Sequence, residues 1–177
     1  NPELLLQAFL QLPHEKRATN NQQQTPQPHL LFVGNGLLEA KLKQIAKREQ
    51  QTTKNIYFMD FQNQTQMPVV YQACDIFCLP SQGPGETWGL AVNEAMAAEK
   101  AIIVSDKVGC ATDLVFDNAN GFIFKSNDAD DLKEKLGTLF KQPNLIDEFG
   151  KQSEQIITNW TFEKQVNTLI KELEQKN

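Results

Sequence analysis

Pro80 to Met96 reads P-S-Q-G-P-G-E-T-W-G-L-A-V-N-E-A-M. An apolar run, Asp75 to Leu79, leads into Pro80-Ser81. A glycine-rich turn follows, then Glu86, then an abrupt helical pattern from about Gly89. A strand, a glycine-rich turn and a helix N-terminus make a ready anion site, because the first helical N–H groups have no partner within the helix. Glu86 and Glu94 flank that site. Like charges repel, so neither carboxylate suits a phosphate. Both suit accepting hydrogen bonds from hydroxyls. A diphosphate that carries many hydroxyls is a nucleotide sugar.

Outward from this turn, apolar runs alternate with helical patterns, which indicates an α/β domain with a parallel sheet. The runs predict strands at Leu30–Val33, Ile56–Met59, Ile76–Leu79, Ile102–Ser105 and Phe122–Phe124. Helical patterns cover Pro2–Leu12, Leu37–Gln50, Met67–Cys74, Leu90–Glu99, Asp130–Phe140, Leu145–Ile157 and Phe162–Gln175. Pro2 suits a first helical turn with Asn1 as its N-cap, and Thr161 suits the cap of the last helix. Residues 18–28 are rich in Asn, Gln, Thr and Pro and read as a solvated loop.

The chain has 177 residues and a net charge of −5. One domain of this size buries roughly 70% of the surface its unfolded chain exposes. An acidic balance lends no electrostatic support to a nucleic-acid partner. No apolar run reaches the length of about 18 residues that a spanning helix needs. Cys74, Cys78 and Cys110 lack metal-ligand spacing and read as buried free thiols, which fits a reducing, cytoplasmic setting. His14 and His29 lie in polar, proline-flanked stretches, which argues against a Ser-His-Asp triad or a histidine-rich zinc site.

The pattern P-S-x(4)-E-x-x-G-L-x-x-x-E-A-M resembles the donor-binding motif of retaining GT-B glycosyltransferases, of the group 1 or family 4 type. The likeness continues through A-I-I-V-S-D (Ala101 to Asp106), Gly109, Asp113-Leu114-Val115 and N-G-F-I-F (Asn120 to Phe124). Upstream, F-V-G-N-G (Phe32 to Gly36) and Y-F-M-D-F (Tyr57 to Phe61) match in order and spacing. The resemblance implies a Rossmann-like three-layer domain with a mostly parallel sheet, the C-terminal half of a GT-B fold, across residues 1–177. Relatives begin this domain with a strand, a Gly-Arg-Leu-like turn and a lysine, whose cations are expected to hold the diphosphate. This chain opens at the helix after them. In the strand order 3-2-1-4-5-6 the first strand is central. The expectation is a donor-binding domain incomplete at its N-terminus, part of a two-domain enzyme whose other half carries the acceptor site.

The resemblance also implies roles. Glu94 is expected to accept hydrogen bonds from the two ribose hydroxyls. Glu86 is the catalytic candidate, contacting hydroxyls of the transferred sugar and stabilising positive charge near the anomeric carbon. Thr87, Trp88, Gly89 and Leu90 are expected to turn backbone N–H groups toward sugar and phosphates. Gly34 and Gly36, around Asn35, follow a strand and open a helix, the place for a phosphate or sugar contact; such a turn often needs glycine for its own geometry. Met59 and Asp60 are expected to border the base. The plainer alternatives are a solvated helix glutamate for Glu94, and for Glu86 an acid near a helix N-terminus, worth roughly 0.3–1 kcal/mol. Trp88 reads equally well as a packing residue over the turn. Thr112-Asp113 stands where relatives often have Pro-Glu, and Glu99-Lys100-Ala101 where they usually have Gly-x-Pro. Glycine there would end the helix in the left-handed conformation.

The implied reaction moves a sugar from a nucleoside diphosphate (UDP, GDP or ADP) to an acceptor hydroxyl with retention. The acceptor is a glycan, a lipid-linked or a small molecule. No cofactor or metal is expected, and membrane contact only through the other domain. A nucleotide-sugar epimerase of the same fold and a non-catalytic nucleotide-sugar-binding module are the alternatives. A glycoside hydrolase also pairs two carboxylates, but has no use for a diphosphate-binding turn.

Overall fold

A computed structural model of the chain describes residues 1–12, 27–49 and 55–175. Most of the polar segment read as a loop, residues 18–26, lies outside the described residues, as does His14. Gln27 and Pro28 lead without regular structure into the first strand.

Helices and strands alternate as expected: α1 (Pro2–Leu10), β1 (Leu30–Val33), α2 (Glu39–Glu49), β2 (Ile56–Met59), α3 (Met67–Gln72), β3 (Ile76–Leu79), α4 (Leu90–Ala97), β4 (Ala101–Ser105), α5 (Ala111–Leu114), β5 (Gly121–Phe124), α6 (Ala129–Lys141), α7 (Pro143–Ile157) and α8 (Phe162–Glu174). Asn1 caps α1 by accepting from the Leu4 N–H at 3.3 Å, and Thr161 caps α8 by accepting from Lys164 at 3.2 Å. Pro143 starts α7 two residues before the expected point, since proline is preorganised for a first turn where its missing N–H costs nothing. The short helix α5 was not anticipated. Four residues are too few to show a period.

Among the described residues every strand pair is parallel, but the strands form two sheets rather than the one expected. β1 pairs with β2; β3, β4 and β5 pair in that order. These are the pairs that remain when strand 1 is removed from the order 3-2-1-4-5-6. β4 is central in its sheet and all five of its residues are buried. Strand alternation sends Ala101 and Ile103 to a core with α1, α2 and α6, and Ile102 and Val104 to a core with α3, α4 and α5. Burying each of the branched side chains of Ile102, Ile103 and Val104 contributes about 1.5–3 kcal/mol. The three-layer arrangement is therefore complete across β3–β5. Across β1–β2, Leu30, Phe32, Ile56 and Phe58 face the core, while Leu31, Val33, Tyr57 and Met59 remain exposed.

Candidate functional site

The glycine-rich turn after β3 is held from several sides. The Ser81 carbonyl accepts from the Ser105 hydroxyl at 2.6 Å and the Ser126 hydroxyl at 3.1 Å, which ties the turn to the carboxyl ends of β4 and β5. Gly89 caps α4 at φ +96°, and a methyl group there would come within 2.8 Å of Val108 Cγ1. Gly109, just after β4, is more tightly constrained. A methyl group on it would lie 1.8 Å from the Thr87 carbonyl oxygen. The Cys110 N–H donates to the Trp88 carbonyl at 2.8 Å. Residues 87 to 89 thus lie directly against the loop after β4. Among the described residues no side chain caps α4, so its first-turn N–H groups keep no side-chain acceptor there.

Glu86 and Glu94 stand on either side of this turn. Glu86 is half-buried and accepts a long hydrogen bond, 3.4 Å, from the Ser81 hydroxyl. Burial pushes the Cys110 thiol up to about 11, and the Glu86 carboxylate adds to that rise. Glu94 is exposed, and the Tyr71 hydroxyl donates to its Oε2 at 2.8 Å. Thr87 and Leu90 are exposed. The Trp88 side chain has a packing role: its indole N–H donates to Asn93 Oδ1 at 3.0 Å and its ring tilts against Trp160 at 5.6 Å.

A second set of expected residues converges at the carboxyl ends of β1 and β2. Gly34, at φ +114°, donates its N–H to the Met59 carbonyl at 3.0 Å. Asn35 Nδ2 donates to Asp60 Oδ1 at 3.4 Å, and Asn35 Oδ1 accepts from the Phe61 N–H at 2.6 Å. A methyl group at Gly36 would meet no described atom within 4 Å, so packing does not demand glycine over alanine there. Sequence reasoning named Asn35 only as part of its glycine turn, and gave no role to Ser81 or Asn93, short polar residues beside a turn or inside a helical pattern. It also missed Tyr71, an aromatic in an apolar helix that carries only a core signal.

The model of the family described as "Glycosyl transferases group 1" matches residues 1–156. The chain belongs to the group 1 glycosyl transferases. An uncharacterized glycosyltransferase of Haemophilus influenzae is 29% identical over 139 residues, covering 78% of this chain and 38% of that protein. The N,N'-diacetylbacillosaminyl-diphospho-undecaprenol alpha-1,3-N-acetylgalactosaminyltransferase of Campylobacter jejuni is 38% identical over 84 residues, covering 48% of this chain and 22% of its own length. The crystal structure of Anabaena HepE in complex with UDP and glucose superposes with a TM-score of 0.75 at 22% identity, covering 99% of this chain and 44% of HepE. The fold is that of a GT-B glycosyltransferase domain, and the chain spans less than half the length of these relatives. Among the described residues of this group 1 glycosyl transferase, no helix is long and apolar enough to cross a membrane.

Proposed function

We propose that this chain is the donor-binding domain of a retaining glycosyltransferase that takes its sugar from a nucleoside diphosphate. The observation that carries the reading is the turn at residues 87 to 89. It stands between Glu86 and Glu94 in the chain, is backed by Gly109, and opens a helix that no side chain among the described residues caps. Backbone N–H groups at Gly89 and Leu90, with the positive end of α4, face the departing diphosphate and stabilise its charge. They are preorganised, so little reorganisation accompanies the reaction. Glu86 lies on the sugar side and stabilises positive charge as the bond to the anomeric carbon breaks. Glu94 accepts from the ribose hydroxyls. The loops at Gly34–Gly36 and Met59–Asp60, joined through Asn35, border the base and the sugar. Leaving-group stabilisation from dipoles and positioning account for catalysis without a metal. The UDP and glucose in HepE support a nucleotide-sugar donor, and the Campylobacter transferase's name supports a lipid-linked acceptor. The unpaired cysteines support a cytoplasmic setting.

Paired substitutions in the full-length protein test this. Glu94→Ala should weaken UDP, GDP or ADP binding by about 1.5–3 kcal/mol, the range for hydrogen bonds to a charged group. The free nucleotide should lose as much as the sugar nucleotide. Glu86→Gln should instead reduce turnover far more than nucleotide affinity, because its contact strengthens in the transition state. Calorimetry and steady-state kinetics separate the two. Unchanged nucleotide affinity in Glu94→Ala sinks the ribose assignment.

A further inference from the structure

We propose that Tyr71 is a positioning residue for the ribose site, acting through Glu94; the proposal rests on the donor-site reading above. Tyr71 lies on α3 and Glu94 on α4, and the chain separates them by 23 residues. The Tyr71 ring is buried in the core that includes Val92, Ala95 and Met96. It meets Phe77 edge-on at 5.7 Å. Packing of the ring fixes where its hydroxyl oxygen stands, and the O–H donates to Glu94 Oε2 at 2.8 Å.

Glu94 is different in kind. Its side chain is exposed, and an exposed glutamate samples many rotamers, each of which aims the carboxylate elsewhere. One charge-assisted bond from an immobile phenol selects among them. It also leaves most of the carboxylate's roughly four acceptor positions open, enough for two vicinal hydroxyls. The phenol remains a donor throughout, since burial, and then the Glu94 carboxylate, push its pKa above the ordinary tyrosine value. The bland alternative is that the bond exists only to satisfy a buried hydroxyl. The two readings differ in what removal of the hydroxyl does to a ligand with and without ribose hydroxyls.

The experiment uses the full-length protein, calorimetry with UDP, GDP and ADP, and the 2′,3′-dideoxy form of whichever binds. Tyr71→Phe should weaken the ribonucleotide about 5- to 10-fold, the size of coupling between contacting residues. The dideoxy nucleotide should bind the variant and the parent equally. In a Glu94→Ala background, Tyr71→Phe should cost nothing further, whereas a bystander tyrosine would act independently. Equal ribonucleotide affinity in Tyr71→Phe and the parent overturns the proposal. So does an equal loss for ribose and dideoxyribose forms, which would mark a general packing defect. Should Tyr71→Phe fail to fold by thermal melt, the hydroxyl serves the core and the proposal falls. A parent that binds none of the nucleotides overturns the donor-site reading itself. A parent that binds, and loses affinity on Glu94→Ala but not on Tyr71→Phe, overturns the role of Tyr71 alone.

Discussion

Gly109 shows how strictly one position can be specified. Its ordinary backbone conformation would admit any residue, yet a single methyl group would enter the Thr87 carbonyl at 1.8 Å. Both partners are backbone, so no rotamer change relieves the clash. Gly109→Ala should therefore displace residues 87 to 89 and cost about 1–3 kcal/mol, the usual range for overpacking a dense region. Nucleotide affinity should fall with it, because the N–H groups of the turn move with the chain. Thermal unfolding and UDP titration check the two effects. A variant with parental stability and affinity would show that the loop after β4 yields freely. Gly89 differs in cause: its φ of +96° already excludes most side chains before any neighbour is considered.

At the scale of an element, the end of α4 departs from the pattern that the family resemblance implies. Glu99 stands where that pattern expects glycine, and it adopts the left-handed conformation at φ +60°. The Lys100 N–H donates to the Ala95 carbonyl at 3.1 Å and the Glu99 N–H to Met96 at 3.0 Å. These two bonds form the Schellman pattern, in which the residue after the cap must be left-handed. Gly150 of α7 packs under this corner, and a methyl there would approach the Glu99 carbonyl to 2.3 Å. The corner is locked by α7, so the strain at Glu99 cannot relax. Glu99→Gly should raise stability by up to about 1 kcal/mol, the typical penalty for a side chain in this conformation. Chemical denaturation is the measurement; an unchanged or lower midpoint contradicts the account. Glycine's greater freedom in the unfolded chain sets the ceiling on the gain.

For the whole molecule, the parallel strands lie in two sheets, and the apolar side chains of α8 (Phe162, Val166, Leu169, Ile170 and Leu173) are exposed. The chain also covers only 38% of its Haemophilus relative and 44% of HepE. On the proposed reading, transfer with retention needs an acceptor hydroxyl held on the same face of the sugar as the departing diphosphate and water kept out, which closure of a second domain over the site would provide. The 177-residue chain alone should therefore bind nucleotides weakly and transfer no sugar. The assay is radiolabelled transfer from UDP-, GDP- and ADP-sugars, this chain against the full-length protein. Equal turnover would show that the second domain is dispensable.

The alternation of apolar runs and helical patterns was enough to place all five strands within one residue, because β-branched runs such as Ile102 to Val104 carry a local signal. The Pro80–Met96 motif likewise placed the turn after β3 and the start of α4 at Leu90. Helix ends were less legible: α3 stops at Gln72 and α4 at Ala97, where bonds to the last carbonyls decide the stop and apolar residues continue past it. Tertiary structure alone decided the division into two sheets, the packing of Trp88 against Trp160, the collision course of Gly109 with Thr87, and the bond from Tyr71 to Glu94. Each depends on distance through space between residues far apart in the chain. Periodicity reports only which face a residue occupies, not what it meets there.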